Sequence, residues 1–236
     1  MEEPLNSLLR HTPSKGLVLD AGCGQLAYTI LLKYFKPELE IIPIDIVMPE
    51  RLKNHKKHNF ILASIENMPF RKEIFDFIFC LSTLQLIEDD RNALKEFHRI
   101  LKRNGALLFT VPTGRSIFRL LRELEIRCGV YRFPEFNVPH YHYYTTNSIK
   151  NLIRDLFYIV DLYGYYYNFF FRLYAFLFSL IRKALKKSST RNQLTHNAKA
   201  TIRLIKKRSK FTDFYWIKKI FYDLSYHYVV IVKKHK

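Results

Sequence analysis

Acidic residues are missing from a long part of this chain: none occurs between Leu162 and Thr212. Residues 1–161 hold 22 Lys/Arg and 19 Asp/Glu, whereas residues 162–236 hold 17 Lys/Arg and only Asp213 and Asp223. Most of the net charge of +18 therefore belongs to the last third of the sequence. A field this lopsided selects anionic partners, either a polyanion or an anionic membrane surface. Cysteine is scarce as well. Cys23, Cys80 and Cys128 form an odd, widely spaced set, which excludes a disulfide framework and a thiolate metal site and predicts a reduced, cytoplasmic protein. The opening Met1-Glu2-Glu3-Pro4 has no apolar run, so no secretory signal is expected. Nor does any stretch reach the roughly 20 apolar residues that a spanning helix needs.

What the sequence does have is a glycine turn in a telling place. Val18-Leu19-Asp20-Ala21-Gly22-Cys23-Gly24 reads as a short apolar strand ending in an acid and entering a turn with glycine at alternate positions. Such a turn brings backbone close to a ligand, where a Cβ would interfere. The acid then narrows the ligand. A pyrophosphate against the turn would be repelled by Asp20, whereas an ammonium or sulfonium would be attracted by it. S-adenosylmethionine carries both. The rival is a dinucleotide, because Gly22-x-Gly24-x-x-Ala27 with Asp45 about 20 residues on also fits that fingerprint.

The order of the following segments arbitrates. Glu40-Ile41-Ile42-Pro43-Ile44-Asp45 is followed by Ala63-Ser64-Ile65-Glu66-Asn67-Met68-Pro69-Phe70, then by Phe75-Asp76-Phe77-Ile78-Phe79-Cys80. Phe97-His98-Arg99-Ile100-Leu101-Lys102-Arg103-Asn104-Gly105-Ala106-Leu107-Leu108-Phe109 completes the series. Over roughly residues 15–163 this resembles the class I, S-adenosylmethionine-dependent methyltransferases of the type 11 group, which includes ubiquinone and menaquinone biosynthesis methyltransferases. The resemblance implies an α/β fold: a Rossmann-like, doubly wound seven-stranded sheet with an antiparallel last strand. Strands are expected at 17–20, 41–45, 60–62, 75–81, 106–111, 158–163 and 228–232, with helices at 2–10, 25–35, 89–101, 116–127 and 148–156. Asn104-Gly105 is expected to stop the helix that precedes the fifth strand.

The same resemblance assigns a cofactor site. Asp20, Gly22, Cys23 and Gly24 hold the methionine end of S-adenosyl-L-methionine, and Asp45 accepts the two ribose hydroxyls. Ser64 stands where relatives often carry an Asp for the adenine amine, and Ile65 flanks the ring. Leu81 touches the middle of the cofactor. Gln85 also lies in the site, where many relatives have a His. Leu26 replaces a third glycine, so an altered helix start is expected there. No residue declares itself a catalytic base and no metal ligands are recognised. His140 and His142, in a loop on the substrate side dense in Pro, His and Tyr, are the candidates, because imidazole titrates near neutral pH.

The sixth and seventh strands are separated by an unusual stretch. Tyr165–Ile181 has 14 apolar or aromatic residues in 17, with Arg172 as its one charge, and Arg182-Lys183-Ala184-Leu185-Lys186-Lys187 follows at once. Thr212 is a candidate cap for a second helix with Phe214, Ile217, Phe221 and Leu224 on one face. Aromatics beside a basic cluster suit a helix lying in lipid headgroups. The expected organisation is a methyltransferase core at 1–164, a helical lid or membrane-surface anchor at 165–224, and the last strand at 225–236. The expected substrate is small or lipid-linked (a quinone precursor, an isoprenoid or a lipid-linked sugar), met by a cytoplasmic protein at the inner face of a membrane. RNA, held through Lys/Arg interleaved with Tyr, Phe and Trp216, is the alternative partner. So is a non-catalytic binding role for the fold. A dimer face remains a further use of the aromatic run.

Overall fold

The computed structural model describes residues 2–53, 59–114, 140–165 and 227–235, together with Leu124 and Arg127. The chain divides into two compact units, one made of Met1–Gly114, Pro139–Tyr163 and His227–Lys236 and the other of Arg115–Val138 and Gly164–Tyr226. The architecture below is that of the first unit. The expected helix at 116–127, apart from two isolated helical positions, and the whole of 166–226 lie outside the described residues.

Seven strands form one sheet in the order β3-β2-β1-β4-β5-β7-β6. They are β1 (Gly16–Ala21), β2 (Leu39–Asp45), β3 (Ile61–Leu62), β4 (Phe75–Leu81), β5 (Leu101–Pro112), β6 (Phe157–Tyr165) and β7 (His227–Lys234). β1 pairs in parallel with both β2 and β4, and β4 with β5. β7 runs antiparallel to β5, from Ala106↔Lys233 to Pro112↔His227. The expected doubly wound sheet with a reversed seventh strand is what forms. Its middle is dry: Val18, Leu19, Phe77, Ile78, Phe79, Leu107, Leu108 and Phe109 are buried, which is why β4 reads as an almost continuous apolar run.

The helices are α1 (Glu2–His11), α2 (Ala27–Phe35), α3 (Asp90–Ile100) and α4 (Thr146–Ile153). α3 buries Ala93, Leu94, Phe97 and Ile100, the stripe that the 3.6-residue period marks, and Asp89 caps it by accepting from Asn92 N at 2.9 Å. α4 starts with a reciprocal cap, in which Ser148 N donates to Thr145 Oγ1 at 3.1 Å and Thr145 N to Ser148 Oγ at 2.8 Å.

Two expected boundaries are corrected. α2 begins at Ala27 rather than Gln25, because Leu26 is left-handed, with φ 65°, and cannot belong to the helix it precedes. Asn104-Gly105 does not stop α3, which ends at Ile100. Leu101 is already extended and paired with Phe75, and residues 102–105 form an irregularity before the register resumes at Phe77↔Ala106.

Candidate cofactor site

The glycine turn leaves the carboxyl end of β1 between the carboxyl ends of β2 and β4. Gly22 N and Cys23 N both donate to Ile44 O, at 2.9 and 3.0 Å, so the turn is fastened to β2 by its backbone. Gly24 N then donates to Asp45 Oδ2 at 2.9 Å, while Val47 N donates to Oδ1 at 3.1 Å. Each oxygen of Asp45 thus has one backbone donor and capacity for one more. Gly22 and Gly24 both have left-handed φ, +77° and +50°. Their neighbourhoods differ: a Cβ on Gly22 would fall 2.3 Å from Thr83 Oγ1, whereas one on Gly24 would meet nothing within 4 Å. Gly22 is therefore glycine for packing, and Gly24 leaves open space above the turn.

Asp20 is buried beneath this turn, with its Oδ2 accepting from Thr29 Oγ1 on α2. Burial pushes its carboxyl up to about 7; the Thr29 bond pulls downward and the nearby Asp45 charge pushes further up. A buried acid in that condition is stabilised by any cation placed against it. Cys23 turns away from the open side. Its side chain joins Leu26, Phe60 and Leu52 in a small apolar cluster, and burial raises its thiol, so it contributes packing and two backbone bonds, its N donating to Ile44 O and its O accepting from Leu26 N.

Ser64 and Ile65 follow β3. Ser64 Oγ accepts from Glu66 N at 3.2 Å and donates to Glu66 Oε2 at 3.4 Å, and Ile65 is buried. Leu81 ends β4, half-buried. Ser82 follows in a left-handed conformation, φ 55°, held by Ser82 N donating to Thr110 Oγ1 at 2.9 Å. Gln85 lies on the short 3-10 turn Leu84–Leu86; its Nε2 donates to Ser82 O at 2.8 Å and its backbone O accepts from Tyr141 N at 2.9 Å.

The His/Tyr segment lies against that turn as a strap. Besides the Tyr141 bond, His142 Nε2 donates to Glu88 O at 2.9 Å, and Tyr144 OH donates to Asp90 Oδ2 at 2.8 Å. Tyr144 N further donates to Pro112 O at 3.0 Å and Gly114 N to Tyr144 O at 2.7 Å. His142 is thereby engaged with a backbone carbonyl, and His140 packs against Tyr143 with ring centroids 5.4 Å apart. Burial raises the Tyr144 phenol, and the Asp90 charge raises it further.

Asp20, Gly22, Cys23, Gly24 and Asp45 thus come together around one turn, with Leu81 and Gln85 across it and Ser64 and Ile65 at the β3 side. Thr29 and Thr83, which hold the acid and the turn, carry no sequence signal beyond ordinary helix and loop composition. Among the described residues no group of three or more His, Cys, Asp or Glu could hold a metal ion, and no helix is long and apolar enough to cross a membrane.

Residues 19–109 match the family model for a methyltransferase domain. The matched residues are a methyltransferase domain. An uncharacterised protein of Methanocaldococcus jannaschii is 28% identical over 62% of this chain and 65% of its own length. The demethylmenaquinone methyltransferase of Thermotoga maritima is 35% identical over 43% of this chain and 44% of its own. The chain therefore spans less than two thirds of these curated relatives. In fold, the methyltransferase domain is similar to phosphoethanolamine N-methyltransferase 2 of Haemonchus contortus, solved in complex with S-adenosyl-L-methionine. That likeness has a TM-score of 0.57 at 16% identity and covers 100% of this chain and 53% of that one.

Proposed function

We propose that the chain transfers a methyl group from S-adenosylmethionine to a small or lipid-linked acceptor at an anionic membrane surface. The observation that carries the first half is the pair of carboxylates about the glycine turn, Asp20 buried below it and Asp45 bonded to its last amide. The residues fit the cofactor. The space above Gly24 admits a ligand against the backbone, and Asp20 favours the cationic methionine end. Asp45 has two spare acceptor positions for two ribose hydroxyls. Ser64 and the Ile65 amide would face adenine, and Leu81 the middle of the molecule.

The cofactor brings an activated methyl on a sulfonium, so the protein's share of the work is alignment and exclusion of water. His140 and His142 are the residues for any proton the acceptor must lose. His142 would act through Nδ1, since its Nε2–H is committed to Glu88 O. Calorimetry with S-adenosylhomocysteine tests the site; no binding would favour a non-catalytic module, the alternative that the departures at Leu26 and Ser64 leave open.

The second half rests on charge and on a relative. The aromatic run at 165–181 next to Arg182-Lys183 and Lys186-Lys187 fits headgroups and rings together. The similarity to a demethylmenaquinone methyltransferase supports a quinone-type acceptor. Flotation with neutral and anionic liposomes tests it: binding to anionic vesicles that partly survives high salt is expected. RNA is the second reading, favoured by the basic run at 202–210 and by Trp216. An RNA binder would ignore both liposomes and release RNA steeply as salt rises.

A further inference from the structure

Gln85 is 3% exposed, and the structure fixes which way its amide points. Its Nε2 donates to Ser82 O at 2.8 Å; a flipped amide would set oxygen against oxygen there. Oε1 is then the other end, closed to solvent and without a hydrogen-bond partner. A buried amide oxygen with no donor is costly, on the order of 1–3 kcal/mol. Gln85 follows β4, and Thr83, two residues before it, touches Gly22 O. On its other side the strap lies against it through Tyr141 N.

The strand order says which ligand can meet this atom. Under the reading above, ribose and adenine belong to β2 and β3 and the methionine end to the turn after β1. β4 and β5 lie on the opposite flank of β1 from β2 and β3, and the strap crosses their carboxyl ends. We propose that Gln85 Oε1 is a specificity-determining acceptor for the methyl-accepting substrate and not a contact to the cofactor. It takes a hydrogen bond from an N–H or O–H on that substrate. This rests on the cofactor reading and names the chemistry of the acceptor: an amine or a hydroxyl, including a phenol. An amide oxygen offers no proton and little basicity, so it orients such a group without ionising it. It repels a carboxylate, which would bring a second acceptor against it. The strap must shift to admit a ligand to Oε1, and the aromatic side chains of Tyr141 and Tyr143 make a planar ring a suitable probe.

The test uses the full-length protein saturated with S-adenosylhomocysteine and four probes: phenol, aniline, anisole and benzoate, observed by ligand-detected NMR. Phenol and aniline are expected to bind at least fivefold more tightly than anisole and benzoate. Gln85→Met, which keeps the volume and removes the acceptor, should erase that preference. Calorimetry on the same variants should give S-adenosylhomocysteine affinities within twofold of the parent. Equal binding of all four probes to the parent, no binding of any, or a phenol preference that survives Gln85→Met overturns the proposal. So does a tenfold loss of S-adenosylhomocysteine in Gln85→Met, which would move Gln85 to the cofactor. Failure of the parent to bind S-adenosylhomocysteine sinks the cofactor reading instead and is seen separately.

Discussion

The backbone amide of Gly24 donates to the carboxylate of Asp45, 2.9 Å away and 21 positions further along the chain. The glycine turn and the acid at the end of β2 are therefore one unit, and the acid is held in place before any hydroxyl reaches it. Asp45→Ala removes both a ligand group and the anchor of the turn. A hydrogen bond to a charged group contributes about 1.5–3 kcal/mol, so S-adenosylhomocysteine affinity should fall by at least tenfold. Calorimetry on Asp45→Ala beside the parent measures it.

The two glycines should separate cleanly under mutation. Gly22→Ala forces a Cβ into Thr83, and the melting temperature should drop by several degrees or the protein fail to accumulate. Gly24→Ala meets no atom, so only its left-handed backbone costs, roughly 1–2 kcal/mol. Its fold should persist while cofactor binding weakens, because the methyl group stands where the ligand approaches. Thermal denaturation and calorimetry on both variants distinguish packing from access.

Asp20 makes binding and stability respond to pH in opposite directions. Its carboxyl lies near 7 in the folded chain, above the ordinary value of 3.8. The folded state thus holds a proton that the unfolded state gives up. This group's contribution to stability is full below about pH 4 and is lost as pH rises through 7. A cationic ligand prefers the ionised acid, so affinity for S-adenosylmethionine should increase with pH up to about 7 and then level off. Binding at pH 6 should release a proton, seen as a buffer-dependent calorimetric enthalpy. Asp20→Asn should lose the pH dependence, bind the cofactor poorly, and melt higher than the parent at pH 8.

Tyr144 ties the strap to the first turn of α3 through Asp90. Tyr144→Phe leaves the ring and deletes that bond, which should cost about 1–2 kcal/mol in urea denaturation. Protease cleavage within residues 140–144 should become faster.

The sequence exposes the sheet and the grouping of most candidate site residues because both rest on local patterns. Alternating apolar runs and helical stripes locate strands and helices, and the spacing of Asp20, Gly22, Gly24 and Asp45 brings four chemically matched residues to one edge. What escapes it is set by partners far along the chain. Cys23 sits between two glycines and is legible as a ligand contact, yet its side chain is drawn into the cluster with Phe60. Leu26, standing where a third glycine is common, signals an altered helix start, but its left-handed φ of 65° is seen only in the fold. Asn104-Gly105 looks like a helix stop, but Leu101 pairs with Phe75 before it is reached. His142 has the right chemistry for a base, and only the fold shows that Glu88 O occupies one of its nitrogens.

β7 lies between β5 and β6, although 61 residues separate it from β6 in the chain. During synthesis β6 therefore emerges with its intended neighbour still unmade, and β5 waits with one side of its ladder open. At about 5–20 residues per second that interval lasts on the order of 3–12 s. Two rows of unpaired peptide groups, beside some of the most aromatic sequence in the chain, are exposed together for that time. The closing step is an insertion, with β7 entering antiparallel and Lys234 locking against Glu73 and Leu101 O at the far end. A nascent chain stalled shortly before residue 227 is thus a species prone to recruit chaperones or to aggregate, and its yield will depend on how quickly the ribosome finishes.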